Sequence, residues 1–235
     1  MTNHGGFVAA IGSIPDDWRV ALGPAAAQGR LEPIADYVSM RRRQAPGVLP
    51  DPDRVFAALV ATPFESVRAV ILGQDPYPTR THAMGLAFSV PRDLPPPLPR
   101  SLKNIHKELG SDLGLTPPRH GSLEPWTRHG VLLLNTSLTV QEGIPASHRR
   151  ARWWVLTNEI IKVIAAKKQP VAFLLWGSPA RAKGRFIDDV HHVVIPSSHP
   201  SPLSQKGFLD TKPFSRANDG LRRRGAEPID WRLGD

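Results

Sequence analysis

Four short apolar runs, at 67–72, 131–134, 171–176 and 192–195, constrain this chain more than any other feature of its sequence. None of them alternates polar and apolar residues, so each reads as a strand buried on both faces, the pattern of a parallel sheet rather than of one with a wet side. Parallel neighbours need long crossovers, and the intervening segments carry helical periodicity. Ser101 is placed to cap a helix with Leu102, Ile105 and Leu109 on one face. Trp153, Leu156, Ile160 and Val163 form a second stripe, ending at Lys167 and Lys168, where cations suit the helix dipole. Pro213 fits the first position of a last helix that carries Phe214, Ala217 and Leu221 and stops at Gly225. The alternation predicts a three-layer α/β/α sandwich around a central four-stranded, mainly parallel sheet. With no repeat and no Gly/Ser linker, one domain over 1–235 is expected, its first thirty or so residues forming a loosely packed N-terminal arm.

The residues just after each run are more informative than the run itself. The first run leads into Gly73-Gln74-Asp75-Pro76-Tyr77-Pro78, the second into Asn135-Thr136-Ser137, the third into Gly177-Ser178-Pro179, and the fourth into Ser197-Ser198-His199-Pro200-Ser201-Pro202-Leu203. In an open parallel sheet these are the carboxyl ends, where ligands bind. Each segment alone has a bland reading: Asp75 before a proline is a turn former, Asn135 a turn residue, His199 one of nine histidines. Their common position at one sheet edge would gather a carboxylate, an amide, an imidazole and several hydroxyls into one crevice.

Composition narrows the chemistry. There is no cysteine, which excludes disulfides, iron–sulfur clusters, thiolate zinc sites and a cysteine nucleophile. Thirty basic residues against 21 acidic give a net charge of +9, and 22 of the thirty are arginine, whose planar fork suits phosphate. A polyanionic partner is one reading; solvated surfaces at Arg41–Arg43 and Arg222–Arg224 are the other, and composition alone leaves both open. The longest apolar runs are about a third of the roughly 20 residues needed to cross a bilayer, and the start MTNHGG lacks a signal-peptide layout, so a cytoplasmic protein without membrane contact is expected. His191 and His192, adjacent on a predicted strand, would point to opposite faces, and no HExxH or carboxylate cluster accompanies them; no metal site is expected.

Gly73-Gln74-Asp75-Pro76-Tyr77, Gly85-Leu86-Ala87-Phe88-Ser89, Leu132-Leu133-Leu134-Asn135-Thr136 and His199-Pro200-Ser201-Pro202-Leu203-Ser204 resemble, in order, the defining motifs of family 1 uracil-DNA glycosylases. The resemblance extends through Ser101-Leu102-Lys103-Asn104-Ile105, Leu174-Leu175-Trp176-Gly177 and Pro228-Ile229-Asp230-Trp231, leaving about the first forty residues without a counterpart. It implies hydrolysis of the N-glycosidic bond of uracil in single- or double-stranded DNA, without a cofactor, by a monomer sensitive to acidic proteins that mimic DNA. It also implies roles. Phe88 would stack on uracil, the Asn135 amide would read its N3 and O4 edge, Tyr77 would exclude the thymine methyl, and Gln74 would add backbone contacts. Asp75 would orient or deprotonate water and stabilise the cationic sugar, while His199 would donate a hydrogen bond to uracil O2. Leu203, beside Pro202, would enter the duplex through the minor groove, with Ser101, Ser178, Ser201 and Lys206 near phosphates.

Several positions depart from the family pattern. Pro78 stands where histidine is frequent, and as a residue-before-proline Tyr77 is expected to be held extended by it. Lys206 replaces a loop arginine, and the 94–100 stretch is about two residues longer than usual. Arg150 and Arg152 occupy places usually held by glycine, readable as added phosphate contacts or as plain surface. A thymine-processing relative is disfavoured by Tyr77. A non-catalytic DNA-binding protein is disfavoured by the presence of Asp75, Asn135 and His199.

Overall fold

The computed structural model describes residues 12–26 and 28–235. Its centre is a four-stranded, all-parallel sheet in the order β3-β2-β5-β6, made of β2 (Ala69–Gly73), β3 (Val131–Asn135), β5 (Ala172–Trp176) and β6 (Val193–Ser197). Every residue of β2, β3 and β5 is buried, which is why their sequences do not alternate. At the edge, β6 leaves Val194 half-buried and Pro196 exposed, a place where a missing N–H is tolerated. Two further strands, β1 (Val48–Leu49) and β4 (Val140–Gln141), pair antiparallel; at two residues each they have no readable period.

Helices flank the sheet. α1 (Asp16–Leu22), α2 (Gln28–Gln44) and α3 (Ala57–Ala61) precede β2. α4 (Arg100–Leu113) and α5 (Glu124–Arg128) lie between β2 and β3, and α6 (Trp154–Ala165) precedes β5. The short α7 (Ser178–Arg181) comes after β5, and α8 (Pro213–Arg223) packs on α4, β5 and β6. α4 buries Leu102, Ile105 and Leu109 as expected, but its cap is Pro99, so Ser101 is the second helical residue and not the cap. α8 does open with Pro213; its free N–H groups at Phe214 and Ser215 are taken by the Asp112 carboxylate of α4 at 2.9 Å.

Two expectations change. Residues 1–11 of the expected arm lie outside the described residues, but α1, within the same thirty residues, is packed in the core rather than loosely attached. Trp18 is 0 % exposed and its Nε1–H donates to the Leu59 and Thr62 carbonyls at 3.1 and 3.0 Å, an anchor whose loss would cost about 3–5 kcal/mol. His191 and His192 sit in the turn before β6, not on the strand, with their rings 4.5 Å apart. His192 is structural: Nδ1 accepts from the Val171 N–H, leaving Nε2–H to donate to the Ala165 carbonyl. Among the described residues no group of histidines and carboxylates is arranged to hold a metal, and no helix is long and apolar enough to cross a membrane.

Candidate active site

Because the four strands are parallel and in register, their carboxyl ends deliver the four polar segments to one edge. Gly73 is the register partner of Asn135, and Trp176 of Ser197. A cleft of about 810 Å³ opens there, lined among others by Asp75, Tyr77, Phe88, Ser178, His199 and Leu203. Asn135, 5 % exposed, is outside its lining; its Oδ1 lies over Gly73, as does the ring edge of Phe88, which does line the cleft. The Asn135 amide makes no hydrogen bond with another described residue, so its donor and acceptor are both available to a ligand.

The flat slot above Asn135 is walled by two aromatics that hold each other. The Tyr77 hydroxyl donates to the Phe88 carbonyl at 3.1 Å, and Phe88 adopts a left-handed backbone, φ 63°, that a non-glycine residue keeps only when its surroundings fix it. They do: the Ala87 N–H is bound to Leu133 of β3, and Phe88 packs at 5.3 Å on Trp176 and 5.4 Å on His199. Burial pushes the Tyr77 phenol up, so it stays a donor. The Gln74 carbonyl accepts from both the Ser137 N–H and the Thr136 hydroxyl, so only the N–H of that peptide side is left for a ligand.

Asp75 is gripped from two directions. The Ala146 N–H donates to Oδ2 at 2.5 Å, and the Gln74 side chain donates to Oδ1 at 3.3 Å. Ala146 reaches the carboxylate with φ 58°, another left-handed non-glycine residue. Burial raises the Asp75 pKa above the ordinary carboxylate value, and those two hydrogen bonds together with the Arg149 charge hold the rise back. The result is an oriented carboxylate that is a stronger base than an exposed one.

Across the slot, His199 is held by the loop it starts. The Ser201 N–H donates to Nδ1 at 3.0 Å, which fixes the tautomer with the proton on Nε2, while burial lowers the pKa and keeps the ring neutral. The loop is clamped in turn by one face of α4. Asn104 donates to the Pro200 carbonyl, Glu108 accepts from the Asp210 and Lys212 N–H groups, and Asp112 accepts from Phe214 and Ser215. The spacing of four places all three on one face. At the tip of the loop Leu203 is 98 % exposed, an apolar side chain with no packing role in the free protein.

Of the sequence-derived candidates, Gln74, Asp75, Tyr77, Phe88, Ser101, Ser178, His199, Ser201 and Leu203 line the cleft, while Asn135 is buried beside Gly73 and is not part of the lining. Pro202 and Lys206 are exposed and lie outside its lining. The Ser178 hydroxyl accepts from Arg181 at 3.0 Å. Sequence reasoning missed Arg149, Arg181 and Ala146; the cations sit among many arginines, and the Ala146 contribution is a backbone N–H, which no residue type announces.

The uracil DNA glycosylase superfamily model matches residues 61–222. Relatives named uracil-DNA glycosylase include one from Sinorhizobium medicae, 46 % identical over 94 % of this chain and 91 % of its own length. Another, from Enterococcus faecalis, is 45 % identical over 94 % of this chain and 96 % of its own. Among solved structures, a mimivirus UNG in complex with UGI superposes with a TM-score of 0.87 at 26 % identity, covering 96 % of this chain and 91 % of that one.

Proposed function

The chain belongs to the uracil-DNA glycosylase superfamily, and from that membership we infer that it hydrolyses the N-glycosidic bond of deoxyuridine in DNA, releasing uracil and leaving an abasic site. The proposal gives each site residue a role. A base inside a duplex is out of reach, so the nucleotide rotates out of the stack, at a cost of a few kcal/mol, into the slot between Phe88 and the Tyr77 ring. The Asn135 amide pairs with the N3 and O4 edge of uracil; cytosine presents the reverse donor and acceptor order and leaves buried polar groups unpaired. Tyr77 occupies the space beside C5 and excludes the thymine methyl.

As the bond breaks, negative charge grows on uracil and positive charge on the sugar. The neutral His199 ring offers its Nε2–H to O2, a donor worth about 3 kcal/mol when aimed at a developing oxyanion. Asp75 faces the sugar, where it stabilises the cation and takes the proton of the attacking water. The observation that supports this division most directly is the pair of fixed groups in one cleft: an imidazole whose Nδ1 is occupied by Ser201 and a carboxylate whose Oδ2 is occupied by Ala146. Leu203 is the wedge that keeps the vacated duplex position open. Single and double strands are both substrates on this reading, and a protein inhibitor such as UGI, with which the mimivirus relative was solved, competes for the same cleft. The two relatives matched by sequence above are bacterial, and the proposed place of action is the cytoplasm.

The test is incubation with uracil-containing and thymine-containing oligonucleotides in excess EDTA, then alkaline cleavage. Strand scission at uracil alone is expected. No scission, or scission that returns only when a divalent metal is added, overturns the proposal.

A further inference from the structure

A second cavity, of about 300 Å³, adjoins the cleft and shares Gln74, Asp75, Arg149 and Pro179 with it. Its far wall has a different character, made by the indoles of Trp153 and Trp154 and by Lys183. Trp153 is a core residue, 2 % exposed, with its N–H on the Thr139 hydroxyl. Trp154, the first residue of α6, is 53 % exposed and makes no ring contact with another described residue. A tryptophan that leaves half its surface in water, at the mouth of a cavity, presents a flat apolar face to a ligand.

The chain leading to Trp154 is cationic. Arg149, Arg150 and Arg152 are all exposed, and none of their side chains forms a hydrogen bond or ion pair with another described residue. Arg149 acts on the Asp75 carboxylate only through its charge, and three guanidinium groups in four residues repel one another and favour a further anion. Arg152 holds a left-handed backbone, φ 58°, a conformation that favours glycine. Asp75 is the one carboxylate in the lining of either cavity, and it is engaged by Ala146 and Gln74. Aromatic face, cations and lack of free acid together describe a site for a nucleotide rather than for a peptide or a metal.

We propose that this cavity and the cationic segment beside it bind one unpaired nucleotide of the strand flanking the uracil, its base stacked on Trp154 and its phosphates on Arg149, which lines the cavity, and on Arg150 and Arg152, exposed next to it in the chain. The proposal rests on the reading of the neighbouring cleft as the DNA site, since the two share a wall. A base still inside a duplex has both faces covered and cannot lie on an indole, so the subsite serves single strands. Stacking is indifferent to base identity, so it adds affinity without restricting the flanking sequence. It is the counterpart of Leu203, whose wedge has work to do only in a duplex.

The experiment is steady-state uracil release from one 20-nucleotide strand with a central uracil, free and annealed to its complement. Trp154→Ala should raise KM for the single strand roughly tenfold, leave kcat unchanged, and alter the duplex less than about twofold. Trp154→Phe should restore most of the loss. Arg152→Gly removes a cation while easing the backbone; it should keep or raise the melting temperature and flatten the slope of log KM against log salt for the single strand by about 0.7. Leu203→Ala should show the opposite substrate preference. Equal effects of Trp154→Ala on both substrates, no effect on either, or an effect confined to kcat overturns the subsite. Failure of the unsubstituted protein to release uracil from either substrate instead overturns the reading of the cleft.

Discussion

Gly73 and Asn135 face each other as register partners at the carboxyl ends of β2 and β3, and the Asn135 amide fills the space that a side chain on residue 73 would need. A Cβ there would overlap Asn135 Oδ1 and press on Phe88 Cε2 at 3.1 Å. Gly73→Ala therefore displaces Asn135 and Phe88, the groups proposed to read the uracil edge and to stack on the base. We expect kcat/KM for uracil release to fall by roughly 100-fold, with a stability loss of about 1–3 kcal/mol from overpacking. Urea unfolding alongside the kinetics separates the two; a variant with near-native turnover would show that the Asn135 position is not critical.

Asp75→Asn keeps the size and the Ala146 contact but removes the charge and the base. Turnover is expected to drop by roughly 100-fold or more with little change in DNA binding. In the unsubstituted protein, burial raises the Asp75 pKa, so activity should be lost as pH falls through a value above that of an exposed aspartate. The kcat/KM profile against pH checks this; the variant should lack that acid limb.

Tyr77→Phe retains the ring and loses the hydrogen bond to the Phe88 carbonyl. Uracil release should stay within about fivefold, while discrimination against thymine weakens by about 1 kcal/mol. The sequence pointed to Pro78 as the element that fixes this ring, whereas the hydroxyl is tied directly to the opposite wall. Pro78→Gly should consequently disturb the uracil to thymine ratio less than Tyr77→Ala does, as paired specificity constants would report.

Leu203→Ala should impair release from a duplex by roughly tenfold and from a single strand by less than about twofold, because only the duplex has a stack to hold open. The side chain is 98 % exposed, so unfolding temperature should not move. A matched loss on both substrates would remove the wedge role.

Glu108 is fully buried and its two oxygens accept the Asp210 and Lys212 N–H groups, both from residues with left-handed backbone. Glu108→Gln turns one acceptor into a donor facing a donor. A stability loss of about 2 kcal/mol is expected, with a fall in kcat of roughly tenfold as the loop carrying His199 loosens. Unchanged kcat with the full stability loss would mean that α4 supports the fold but not the loop's position.

The apolar runs, the order of the motifs and the cationic balance were readable in the sequence because each depends on side-chain type and spacing along the chain. They lead to the parallel sheet and to the convergence of Asp75, Asn135 and His199; Tyr77 and Phe88 as pocket walls came from the resemblance to the glycosylase motifs. The tertiary structure alone decided how those groups are held. The Ala146 N–H meets Asp75 across 71 residues, the Ser201 N–H sets the tautomer of His199, and Glu108 reaches more than one hundred residues to the loop beyond Leu203. The two closest grips on Asp75 and His199 come from the backbone, which every residue carries, so no letter of the sequence marks them. Trp18 and Trp154 make the same point through burial: the residue type is the same, and only packing seals one in the interior and leaves the other half-exposed in the lining of a cavity.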